Sequence, residues 1–126
     1  MPIDDSITMK IVILGAAQHA EVVASMAIDC PTVEVVGFLD DDPAKQGKEI
    51  LGIPVLAPIE ALHELFRSGE VDGAFLGLSA RQMALRVKLL RELAEAGVPQ
   101  PNLIHSTAWI APTAVVGQGN FIGPYV

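Results

Sequence analysis

A glycine-led turn, a run of three carboxylates and a second glycine carry most of the chemistry open to this sequence. Gly15-Ala16-Ala17-Gln18-His19-Ala20 follows the apolar run Lys10-Ile-Val-Ile-Leu14 and opens a segment of helical spacing. A turn at that place sets the free N–H groups of a helix start against an anion, so the stretch reads as a phosphate-binding loop. It departs from G-x-G-x-x-G at Ala17 and Ala20, which weakens a dinucleotide reading. A plain strand-to-helix turn, with His19 packed into the helix face, accounts for the same residues. Asp40 follows Gly15 at about the separation of the acidic residue that ends the second strand of a nucleotide-binding unit. Its carboxylate and that of Asp41 can accept hydrogen bonds from a ribose diol or a base N–H. Asp42 before Pro43 suits a turn, and a turn is the alternative for its two neighbours as well. Adjacent carboxylates on an extended segment diverge, so the run is not read as a magnesium site. Gly77 and Leu78 close a later apolar run; the charged residues beyond it, Arg81, Arg86, Lys88, Arg91 and Glu92, read most simply as a solvated helix face, with a phosphate contact from Arg81 the alternative. His63 falls on a polar helix face and His105 at a junction, and no Ser or Cys is paired locally with a His as nucleophile and base.

The elements that must hold these groups are legible as punctuation and period. Lys10–Leu14 and Val33–Leu39 are continuous apolar runs of the kind buried on both faces of a sheet. Helical spacing between them, at Val22, Val23, Met26 and Ala27, is closed by Pro31. A short third strand over Ile53–Leu56 leads to Pro58 at the first turn of a helix that stops at Ser68-Gly69. A fourth strand spans Gly73–Leu78. Ser79 with Gln82 makes a capping-box pattern for a helix whose apolar stripe is Met83, Val87, Leu90 and Ala94, and Gly97 ends it. Strands alternating with helices predict a small Rossmann-like doubly wound parallel sheet of order 3-2-1-4-5, with the Leu103-Ile104 stretch last. Gly15, Asp40 and Gly77 all fall at strand carboxyl ends, where ligands bind in such sheets.

From Ile104 the period changes. Ile104, Ile110, Val116 and Ile122 recur every sixth position, and Ala111, Gly117 and Gly123 follow three of them directly. Six is the period of a parallel β-helix with three hexapeptides per coil, an architecture that needs stacked neighbours. Barely four hexapeptides are present, so the chain is expected to stop as a second domain begins. The expected organisation is a polar tail over 1–8, a nucleotide-binding domain over 9–105 and first repeats over 106–126.

Bulk properties narrow the partners. The 126 residues carry a net charge of −7, which argues against nucleic acid and anionic membranes. The sequence is 51% hydrophobic but only 5% aromatic, so its core is aliphatic and few rings are available to stack on a ligand. The single Cys30 leaves no internal disulfide and fits a reducing cytosol, and the N-terminus has no signal-peptide pattern. A cytoplasmic protein is expected.

Taken in order, Ile11-Val-Ile-Leu-Gly15-Ala-Ala-Gln-His-Ala-Glu-Val-Val23, Val36-Gly-Phe-Leu-Asp-Asp41, Ala74-Phe-Leu-Gly77 and Asn102-Leu-Ile-His-Ser106 with the hexapeptides resemble the sialic acid O-acetyltransferase family. That family includes the bacterial UDP-4-amino-sugar N-acetyltransferases, and the resemblance covers Met9 to Val126. It implies an N-terminal domain that binds a nucleotide-sugar, of UDP-sugar type, joined to a left-handed β-helix that binds acetyl-CoA and forms a trimer. It also implies cell-surface polysaccharide biosynthesis as the setting. The nucleotide-sugar contacts it implies fall on Gly15, Ala16, Ala17, Gln18, His19 and Ala20, on Asp40 and Asp41, and on Gly77 and Leu78. Ala17 and Gln18 stand where the family usually has glycines, and Gln18 brings an amide donor of its own. The family's catalytic His lies on a later coil, so this chain is expected to bind and not to catalyse, with acetyl-CoA the co-substrate of the complete enzyme and no metal. Two other readings use the same residues: the dinucleotide-binding domain of an NAD(P)-dependent oxidoreductase, and a non-catalytic assembly module. The oxidoreductase leaves the six-residue repeat unexplained.

Overall fold

In the computed structural model, residues 8–123 are described; the tail expected over 1–8 lies outside them apart from Thr8, as does the repeat region beyond 123. The chain runs β1 (Met9–Leu14), α1 (Gln18–Ala27), β2 (Val33–Leu39), β3 (Glu49–Ile50), β4 (Ile53–Ala57), α2 (Leu62–Arg67), β5 (Gly73–Leu76) and α3 (Met83–Ala96). Two short strands follow, β6 (Leu103–Ile104) and β7 (Phe121–Ile122). Single 3-10 turns at Pro43–Lys45, Ile59–Ala61 and Ala80–Gln82 lead out of β2, β4 and β5.

Period and burial agree in β1. Its last four residues are fully buried because the strand is central and covered on both sides. Alternation sends Ile11 and Ile13 into a core with the Ala20–Ala24–Ala27 face of α1, and Val12 and Leu14 into a core with α2 and α3. The fold is therefore an α/β sandwich around a five-stranded, parallel-dominated sheet of order β3-β4-β2-β1-β5. Parallel pairing of Leu14 with both Leu39 and Leu76 brings three strand ends to one level. Gly15, Asp40 and Gly77 thus emerge side by side.

Three sequence expectations need correction. The first four expected strands keep their 3-2-1-4 order, but Leu103-Ile104 does not join as the fifth. The Ala74 N–H still donates to Pro99 O at 3.0 Å, and the chain then leaves the sheet. Pro99 and Pro101 supply no ladder donors, so a strand there would be half-bonded. Leu103 turns instead into the α1 core, and β6 pairs in parallel with β7, Leu103 against Phe121. A two-residue antiparallel strand, β3, is added at the opposite edge.

The stripe assigned to α3 is the second correction. Leu89 and Leu93 are buried with Leu85 packed beside them, whereas Met83, Val87, Leu90 and Ala94 face outward. The helix is apolar on two sides, and periodicity alone does not say which one meets the sheet. Third, Ser79 makes no side-chain cap: the segment opens with a 3-10 turn, and Gln82, not Ser79, precedes α3. Gly97 does end α3, at φ 69°, a left-handed conformation that glycine adopts without strain.

Beyond β6, residues 105–120 form turns and not strands. Ile104, Ile110, Val116 and Ile122 are nevertheless all partly buried while Trp109 and Val115 are exposed, so the six-residue period does select an inner side. The junction is tied to the domain by the Cys30 thiol, which donates to Ile104 O at 3.6 Å, and burial pushes that thiol above its usual range.

Because Leu103 is fully buried beneath α1, Leu103→Ala should cost about 2–5 kcal/mol by leaving a cavity. Urea unfolding monitored by circular dichroism measures it. A cost below about 0.5 kcal/mol, the range of exposed sites, would mean that β6 is not anchored in this core.

Candidate functional site

The loop after β1 is held from below. Gly15 has φ 105°, and its N–H donates to Leu39 O at 2.7 Å. A Cβ there would meet Leu78 Cδ2 at 2.8 Å, so only glycine fits both the turn and its neighbour. The next N–H, of Ala16, donates to Asp40 Oδ2 at 2.8 Å. Asp40 Oδ1 accepts the Asp42 N–H at 2.8 Å, and the Asp40 carbonyl accepts from Gln46 Nε2 at 2.6 Å. Lys45 Nζ stands 3.9 Å from Oδ2. Asp40, expected as a ligand contact, has both carboxylate oxygens accepting backbone N–H groups and so braces the loop.

Asp41 is exposed, and its Oδ1 accepts the Ile59 N–H at 2.9 Å, fastening the turn after β4. Asp42 accepts from the Ala44 N–H at 2.9 Å and caps the Pro43–Lys45 turn. The three carboxylates diverge as adjacent residues on extended backbone do. No cluster of potential metal ligands occurs among the described residues.

On the other side of Gly15, Ala17 precedes α1 in an extended conformation and supplies no side-chain cap. The first N–H groups of α1 therefore have no side-chain acceptor, and Ala17, Gln18 and His19 are exposed beside them. A cavity of about 450 Å³ opens there, lined by Gln18, His19, Val22, Gly77, Ser79 and Arg81 among others. It holds Arg81 and His19 and no carboxylate. A second cavity, of about 340 Å³, lies across the sheet between α2 and α3, with Leu14, Asp41 and Ile59 at its strand-end side. Its charged lining is mainly acidic, Asp41, Glu60 and Glu92 against Lys88, with His63 exposed at the rim.

The site residues expected from sequence divide by direction. Ala17, Gln18, His19 and Gly77 line the first cavity of the crevice and Asp41 the second, while Gly15 is buried and lines neither. Ala16, Ala20 and Leu78 are buried and present no side chain to it. Ala20 has a packing role: a Cβ on Gly77 would stand 3.0 Å from Ala20 Cβ and 2.6 Å from Ile13 Cγ2. The small pair lets α1 approach β5 closely, which loop membership in the sequence does not reveal. Sequence reasoning missed Arg86, whose Nη1 donates to Leu78 O at 2.7 Å and steadies the β5 exit. It also missed Val22 and Ile59 as lining groups. None of the three stands in a motif that distinguishes it from other surface or core residues.

The model of the PglD N-terminal domain matches residues 10–91. Among solved structures, PerB, the perosamine N-acetyltransferase of Caulobacter crescentus crystallised with CoA and GDP-perosamine, is 31% identical at a TM-score of 0.73. That match covers 91% of this chain and 51% of the other. The acetyltransferase domain of PglB from Neisseria gonorrhoeae is 30% identical at a TM-score of 0.75, covering 93% and 54%. This chain thus spans about half the length of those relatives. UDP-D-quinovosamine 4-dehydrogenase from Vibrio fischeri, at 22% identity and a TM-score of 0.63, shares the fold. No curated protein sequence matches the chain.

Asp40→Ala removes the acceptor of the part-buried Ala16 N–H and should destabilise the domain by about 1–3 kcal/mol. Asp40→Asn keeps an acceptor oxygen and should recover part of that loss. Chemical denaturation of the three proteins checks this, and equal stability of Asp40→Ala and the parent would rule out the brace.

Proposed function

The chain belongs to the PglD N-terminal domain family, and from that premise we propose that residues 9–105 bind a nucleotide-activated sugar for acetylation by the protein of which this domain is part. The observation that carries the proposal is the crevice over Gly15. There the strand order β2-β1-β5 sets Asp41, the uncapped start of α1 and Arg81 in that order along the strand ends, Asp41 on the cavity across the sheet and Arg81 on the cavity at α1. A nucleotide-sugar has the same order of chemistry. Base and ribose offer donors to Asp41, a diphosphate suits the helix N–H groups and Arg81, and the sugar extends past Gln18 and His19. Asp40 shapes the loop in this reading, and its position at the end of β2 serves the ligand through Ala16.

Acetyl-CoA is the proposed acyl donor. The PglB domain has been crystallised with acetyl coenzyme A and the perosamine enzyme with CoA. The proposed chemistry is direct transfer: a general base takes the proton from a sugar amine or hydroxyl as that atom attacks the thioester carbonyl. A backbone N–H then stabilises the oxyanion before the thiolate leaves. No residue of this chain is assigned as catalytic.

Residues 106–126 are proposed as the first repeats of a left-handed β-helix, through which the protein assembles as a trimer. The parallel pairing of β6 with β7 supports this, since Asn102 and Asn120 beside it are 18 residues apart, three hexapeptides and one lap. Asn102 holds the register: its Oδ1 accepts the Asn120 N–H at 2.8 Å and its Nδ2 donates to Gly117 O at 2.6 Å. A cytoplasmic location and a role in cell-surface polysaccharide synthesis belong to the same proposal. No helix among the described residues is long and apolar enough to cross a membrane.

Isothermal titration with UDP- and GDP-linked amino sugars and with NAD tests the reading. A sugar nucleotide should bind and NAD should not; binding of NAD alone would favour the oxidoreductase. Asp41→Ala should weaken sugar-nucleotide binding by about 1–3 kcal/mol through loss of a charge-assisted hydrogen bond. It should lower stability by only about 0.5–1.5 kcal/mol, the net worth of its bond to the Ile59 N–H. An unchanged dissociation constant would remove Asp41 from the site.

A further inference from the structure

The cavity at the start of α1 has a neighbour. A third cavity, of about 350 Å³, lies at the β5 edge of the sheet, and His19 lines both. Val22 and Gly77 belong to the first, and the adjacent Val23 and Leu76 to the third, so the two adjoin along α1 and along the end of β5. The floor of the third is apolar, from Val23 of α1 with Phe75 and Leu76 of β5, all buried. Phe121, 41% exposed, and Leu90 complete its apolar part. The polar lining is His19, Arg86 and three carboxamides, Gln100, Gln118 and Asn120, with no carboxylate.

The carboxamides come from two parts of the chain, the connection after α3 and the hexapeptide segment, and backbone bonds hold these together. The Gly119 N–H donates to Gln100 O at 3.1 Å, and the Asn120 N–H to Asn102 Oδ1 at 2.8 Å. Gly119 has φ 67°, and a Cβ there would stand 3.1 Å from Gln100 Oε1, so glycine leaves the Gln100 carboxamide its place. Gln118 Oε1 accepts the Gln100 N–H at 3.4 Å. Gln118 Nε2, the Gln100 carboxamide and the His19 ring make no hydrogen bond among the described residues. Uncommitted donors and acceptors converging over an apolar floor are the make-up of a small-molecule site.

We propose that this third cavity receives the sugar ring of the nucleotide-sugar, with its hydroxyls read by the Gln100 and Gln118 carboxamides and an apolar face of the ring against Phe121. The proposal rests on the nucleotide-sugar function and adds where the sugar goes and which groups recognise it. In such a ligand the sugar is bonded directly to the second phosphate. With the diphosphate at the start of α1, the ring must enter a space that adjoins the first cavity, and the one sharing His19 does. A carboxamide donates and accepts, which suits a hydroxyl that does both. A protonated amine finds no carboxylate in this lining and meets the Arg86 guanidinium, so the groups held here are the hydroxyls and not the amine. Because Gln118 and Phe121 belong to the hexapeptide segment, the sugar is bound where the nucleotide-binding sheet meets the coil.

Isothermal titration of the full chain with GDP, GDP-perosamine, UDP and a UDP-linked 4-amino sugar tests the proposal. In the pair that binds, the sugar nucleotide should bind more tightly than its bare diphosphate. Gln100→Leu and Gln118→Leu, similar in size to the parent, should each weaken the sugar nucleotide about 3- to 10-fold and leave the diphosphate within about twofold. A general disturbance of the coil would move both ligands together. Exchanging the amine of the ligand for a hydroxyl should cost less than about threefold, whereas an amine held as a cation would lose about tenfold or more. In the parent chain, the side-chain NH2 resonances of Gln100 and Gln118 should shift with the sugar nucleotide and not with the diphosphate, a readout that needs no variant to fold. Equal losses for both ligands, no loss for either, a tenfold cost of the amine exchange, or resonances that respond only to acetyl-CoA would overturn the proposal and leave the nucleotide-sugar function standing. Binding of neither diphosphate nor sugar nucleotide would overturn both.

Discussion

The hydrogen bond from the Ala16 N–H to Asp40 Oδ2, 2.8 Å long and part-buried, joins the loop after β1 to the end of β2. On one side it fixes where α1 begins. On the other it fixes the turn that carries Asp41 toward Ile59. Parallel register brings Leu14, Leu39 and Leu76 level, but that alone leaves the loops above them free. The carboxylate ties two of these level strand ends, those of β1 and β2, into one rim, and it does so by taking an N–H that water or a ligand would otherwise satisfy. The floor of the crevice is therefore held by this bond, and Gln18, His19 and Arg81 stand exposed beside it.

Close packing supports the same rim from beneath. Gly77 and Ala20 let α1 lie against β5 at a distance no larger pair would permit. In G-x-G-x-x-G loops the third glycine gives this approach from the helix side. Here the helix contributes alanine and the strand end contributes the glycine. The physical requirement is met by a different distribution of small residues, which is why departure from the motif did not bring departure from the fold.

The two ends of the described residues obey different periods, and the structure joins them at one buried residue. Leu103 belongs to the α1 core while its neighbour Ile104 begins the six-residue row. The change of period coincides with Pro99 and Pro101, where ladder donors run out. A parallel sheet and a coil stacked on itself place opposite demands on the next residue, and Leu103 satisfies the first as Ile104 starts the second.

The sequence by itself determined the α/β class, the positions of β1, β2, β4 and β5, the end of α3 at Gly97 and the level of the crevice. Each of these rests on local signals: apolar runs, a left-handed glycine, residues that close a strand. The inner side of the hexapeptide row was legible for the same reason. Only the tertiary structure decided which of two apolar stripes on α3 meets the sheet, since Met83–Val87–Leu90 and Leu85–Leu89–Leu93 have the same helical period. It also decided that Asp40 braces a loop while Asp41 faces a cavity, and that Ala20 packs where Gln18 is exposed. Adjacent residues of like type differ there only in direction. Direction is set by partners distant in sequence, as Ala16 is from Asp40, and no local pattern encodes it.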